Sequence, residues 1–174
     1  DDYRQGRAVV DRAIADLQFL GAVVVDPVVV PGLDSVQQTY VGNNFETEQA
    51  MNAYLAEHAD APIETVQDIL LSGIVTPWRA KGLMNVVGKS IDDLGDLRIL
   101  QARERLRRGV LTVMANNELD ALVYATFDHQ NTVIAPDALT NADTEDAYAL
   151  GNNRHLSPVI GFPALTVPAG FTTD

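Results

Sequence analysis

Cysteine is absent from the 174-residue chain, which excludes disulfides and thiolate metal sites. A chain without cysteine is compatible with a reducing compartment and specifies none. Positive charge is scarce, with 12 Lys and Arg against 24 Asp and Glu and a net charge of -12. A field of that sign opposes non-specific contact with nucleic acid or anionic lipid, so no nucleic-acid partner is expected. Long apolar runs are missing as well: nothing approaches the roughly 20 residues that span a bilayer. The longest candidate, "GAVVVDPVVVPGL" (21–33), is interrupted by Asp26, Pro27 and Pro31, and no membrane partner is expected. No signal-peptide pattern opens the chain, and no internal repeat or low-complexity linker divides it. Hydrophobic residues at 47% and charged residues at 21% give the composition of a folded chain, not a disordered one.

What is present reads as alternating helices and buried strands. Val10, Ala13, Ile14, Leu17 and Leu20 recur at helical spacing. Asp2 with Gln5 resembles a capping box, and Gly21 suits the left-handed position after a helix. Ala22–Val25 then reads as a β-branched strand. Helices are predicted over 43–58, from Pro62 to Gly73, and over about 93–116; 74–92 is less regular, with Pro77, Gly82 and Gly88. Leu119–Phe127 ("LDALVYATF") and Ala164–Val167 read as two further strands, separated by a polar connection over 128–157. Helix-glycine-strand succession predicts an α/β class, with too few strands for a complete sheet.

The short motifs lack parts that their chemistry needs. "VVGKS" (86–90) lacks the glycine five positions before Gly88 that a phosphate loop requires: position 83 is Leu, and Gly82 comes one residue early. A turn before a helix is the expected role. Asp128 and His129 are adjacent, as an acid–base pair or metal site could be, but neither His58 nor His155 has a partner ligand at helical spacing. Asp143, Glu145 and Asp146 lack the alternation of a calcium loop. The arginines at 98, 103, 105, 107 and 108 read as a solvated helix face, with Glu104 placed to pair with Arg107 and Arg108. The serines are Ser35, Ser72, Ser90 and Ser157, none in a Gly-x-Ser-x-Gly elbow. Lys81 and Lys89 are the only lysines. Lys89 and Ser90 are neighbours in sequence, which points their side chains apart.

"LDALVYATF", a long polar connection and then "SPVIGFPALTVPAGF" resemble the C-terminal part of the amidase signature family. Gly161, Pro163, Ala164, Thr166, Val167, Pro168, Gly170 and Phe171 fall on the family's G-x-P-A-x-[ST]-[VL]-P-x-G-[FY] pattern. "GAVVVDP" and "NFETEQAMNAYLA" are similar to earlier and looser landmarks. The resemblance departs from the pattern at Ala125, where proline is common, and around Ser157-Pro158, where an asparagine is often found. The second departure looks like the small-amide and peptide-amidase branch more than the tRNA-dependent amidotransferase branch.

The resemblance implies a mixed β-sheet core flanked by helices. It also implies hydrolysis of a carboxamide in a small amide or peptide amide through a Ser-cisSer-Lys triad, with no cofactor and no metal. In that chemistry one serine attacks the carbonyl, the second relays protons, the lysine is the base, and backbone N–H groups hold the oxyanion. The glycine-serine-rich loop that carries it does not occur in this chain, so no residue here is expected to be catalytic. Residues 1–174 are expected to be a partial single domain, an internal piece cut at both ends, with an incomplete sheet. On this reading Thr126, Phe127, Asp128, Arg154, Ser157 and Ile160 are candidates to border the substrate pocket. Two rival expectations are a piece of an amidotransferase subunit, and a non-catalytic module that lost the triad.

Overall fold

Eighteen residues from Asp2 to Phe19 form the first helix, α1, and its end is set by backbone geometry. Gly21 takes φ 100°. Its N–H donates to the Gln18 carbonyl at 3.0 Å and the Ala22 N–H to Leu17 at 3.0 Å. This double bond pattern closes a helix through a left-handed residue, as Gly21 predicted. The Asp2 side chain of the expected capping box lies outside the described residues. The Gln5 side-chain oxygen accepts from the Thr173 N–H and hydroxyl, at 2.9 and 3.0 Å. The computed structural model describes residues 2–33, 44–58, 60–127, 133–143, 153 and 155–173, and for Asp2 the backbone alone.

Five further helices follow among the described residues: α2 (Thr47–Ala56), α3 (Val66–Leu71), α4 (Pro77–Met84), α5 (Leu94–Asn116) and α6 (Leu156–Ile160). The predicted helices over 43–58, 62–73 and 93–116 contain α2, α3 and α5. Thr65 caps α3 through a reciprocal box with Asp68. The stretch expected to be less regular contains α4, capped by Thr76 with Pro77 in its first turn. Proline there is a start signal, because that turn has no intrahelical use for its N–H.

The α/β expectation is corrected here. Among the described residues there is no sheet: Ala22–Val25, Leu119–Phe127 and Ala164–Val167 lie in irregular segments, with Phe127 a single bridging residue. β-branched composition favours an extended chain, but a strand exists only when a second backbone completes its ladder. Pro27 and Pro31 in the first segment, and Pro163 and Pro168 in the last, each remove a donor such a ladder would use. The outcome is visible in the side chains expected to be buried. Val23 is 92% exposed, Leu165 88% and Val167 66%.

Two compact units are present: Asp1–Thr39 with Arg103–Thr132 and Ala147–Asp174, and Tyr40–Ala102 with Val133–Asp146. In the first, Leu106 and Val110 on α5 and Leu156 and Ile160 on α6 form the core. Val30, Leu33, Met114, Leu122, Val159 and Phe162 pack around it. Leu106, Val110 and Met114 recur every fourth residue, the spacing that keeps one helical face inward. Gly109 lets the chain at Val30–Pro31 come close: a Cβ there would lie 3.6 Å from the Pro31 carbonyl oxygen. Along α1, a Cβ on Gly170 would stand 3.3 Å from Val9.

In the second unit α3 packs against α2 and α4. Val66 is fully buried, and its N–H donates to the Asn52 side chain at 2.8 Å. The Glu48 carboxylate accepts from the Gly88 N–H at 2.6 Å, and Lys81 pairs with Asp143. The Phe45 ring lies on Gly95, where a Cβ would come 2.9 Å from Cε1. Lys89 sits 5.4 Å from the same ring's centroid, within cation–π range.

Candidate functional site

The stretches that carry the family resemblance meet around α6. That helix has only five residues, and its ends are held by specific bonds. Gly161 at φ 69° stops it in the left-handed region. The Ser157 carbonyl accepts from the Phe162 N–H at 3.0 Å. The Ser157 hydroxyl donates back to the Phe162 carbonyl at 2.7 Å. Ser157 is 7% exposed, so the hydroxyl satisfies a polar group at the edge of the core. As placed, its proton goes to a carbonyl oxygen and not to a base, which gives it the role of a turn lock and not of a nucleophile.

Upstream, Asn153 ties this turn to the segment before it. Its N–H donates to the Thr126 carbonyl and its side-chain amide to the Ala125 carbonyl, both at 3.0 Å. Its own carbonyl accepts from the Leu156 N–H at 3.1 Å. One residue therefore joins "VYAT" to the start of α6. Asn153 was not among the residues singled out from sequence. An asparagine in a polar stretch has no periodic signature, and only the fold brings Ala125 and Thr126 within reach of it.

The six pocket candidates separate. Thr126 and Phe127 are half-buried beside Asn153. Ser157 is locked to Phe162, and Ile160, 5% exposed, belongs to the core with Leu106 and Val110. Asp128 and Arg154 lie outside the described residues, as does His129 of the adjacent Asp-His pair. Leu122 and Phe162 pack against the buried Leu156 and Ile160. The Ala125 and Thr126 carbonyls both accept from Asn153.

Other chemistry-bearing side chains are committed to structural contacts. The Ser90 hydroxyl accepts from the Asp92 N–H at 3.2 Å, and its own N–H donates to Asp93 at 3.0 Å. This is a turn before α5, as expected of "GKS". His58 stacks on Tyr54 with ring centroids 4.3 Å apart, and its Nδ1 lies 2.8 Å from the Tyr54 carbonyl oxygen. Arg108 pairs with Glu104 at 2.7 Å on the exposed face of α5, one of the two pairings its spacing predicted. The Lys81 ammonium holds the Asp143 carboxyl below its ordinary 3.8, first through a hydrogen bond and then through its charge.

Among the described residues no group of three or more His, Asp or Glu side chains is arranged to hold a metal ion. No helix among them is long and apolar enough to cross a membrane. Comparison with family models, with curated proteins and with solved structures finds no match to the chain.

Proposed function

We propose that these 174 residues belong to an amidase that hydrolyses the carboxamide bond of a small amide or peptide amide, and that they border its substrate pocket. The serine nucleophile, the second serine and the lysine base lie outside these residues, so the chain by itself turns nothing over. The observation that supports this reading most is the convergence of the two resembling stretches. "LDALVYATF" and "SPVIGFPALTVPAGF" are separated by a long polar connection in sequence. Leu122 of the first and Val159, Ile160 and Phe162 of the second nevertheless pack into one core. Asn153, in the connection just before the second stretch, donates to the Ala125 and Thr126 carbonyls of the first and accepts from the Leu156 N–H. A pocket wall needs such fixed geometry, because a misplaced wall loses the orientation on which the reaction depends.

The coding DNA on both sides of this stretch provides the test. The proposal requires an uninterrupted frame carrying an upstream lysine and a Gly-Gly-Ser-Ser-Gly type loop. The product of that frame must hydrolyse a short peptide C-terminal amide, and must lose this activity when the nucleophilic serine of that loop is replaced by alanine. A frame that contains neither lysine nor loop refutes the proposal. A complete product that shows no amide turnover leaves the non-catalytic module. Co-purification of obligate partner subunits identifies the amidotransferase reading instead.

A further inference from the structure

We draw no further inference here: the strongest candidate, the exposed apolar surface of the irregular segments 22–30 and 162–173 around Val23, Val29, Leu165 and Phe171, carries nothing because nothing in the structure shows what covers it.

Discussion

Replacing Ser157 with alanine separates a structural role for this hydroxyl from a chemical one. The substitution removes one O–H···O=C bond of 2.7 Å and keeps the backbone bond from the Phe162 N–H to the Ser157 carbonyl. A neutral hydrogen bond of this kind contributes about 1 kcal/mol net, and a carbonyl left unpaired near a core costs about 1–3 kcal/mol. Alanine is the better helix former by up to about 0.5 kcal/mol, which offsets part of the loss. Phe162 is only half-buried, so water reaches its carbonyl in part and the cost falls at the low end. The expected outcome is a loss of about 1 kcal/mol. With a urea dependence of about 1–3 kcal/mol per molar, the midpoint falls by about 0.3–1 M. Urea titration followed by the helical circular-dichroism signal measures it. Ser157→Thr keeps the hydroxyl, adds one methyl where Ser157 is 7% exposed, and is expected to retain more of the midpoint than Ser157→Ala. If Ser157→Ala leaves the midpoint unchanged, the turn lock is wrong and the hydroxyl is free for another role.

Four further outcomes follow from the same reasoning. Val110→Ala deletes a fully buried side chain; two carbon groups at about 0.8 kcal/mol each plus the cavity give about 2–3 kcal/mol, read in the same titration. Gly95→Ala drives a Cβ into the Phe45 ring and separates the ring from Lys89, so it is expected to destabilise. In a Phe45→Ala background the same change is expected to stabilise by up to about 1 kcal/mol, the helix gain of alanine over glycine, and failure of the sign to reverse would count against the ring contact. Asp143 has its folded pKa depressed by Lys81. Any stability from this pair is therefore present above the ordinary carboxylate range and disappears as pH falls through the lowered value. Carboxyl-carbon NMR titration should show Asp143 moving up toward 3.8 in Lys81→Met. The isolated chain is expected to unfold at low urea and to release no ammonia from peptide amides; cooperative unfolding at high urea together with turnover would overturn that expectation.

The limits of legibility run along particular residues. The end of α1 was readable because its chemistry is local: Gly21 and its two returning bonds lie within five residues of one another. The Thr65–Asp68 box is as local, yet the helix was expected to start earlier, at Pro62. The α4 start is equally local in Thr76-Pro77 but falls in the 74–92 stretch expected to be less regular. The valine-rich segment before Pro31 and the "FPALTVPAGF" segment carry strand composition, but their pairing is not a property of either alone. The site divides in the same way. Ser157, Ile160, Thr126 and Phe127 were singled out by resemblance, while the contacts of Asn153 join residues 28 apart and leave no trace in either local pattern.

By itself, then, the sequence determined α1, α2, α3 and α5, the glycine that closes α1, and the net charge, since these depend on neighbours within a turn or on sums over the chain. Only the tertiary structure decided that α5 and α6 share a core, that Asn153 clasps the 125–126 backbone, and that the valine-rich segments form no ladder. Each of those depends on which distant atoms arrive to satisfy a donor or cover a methyl group, and chain spacing carries no information about arrivals.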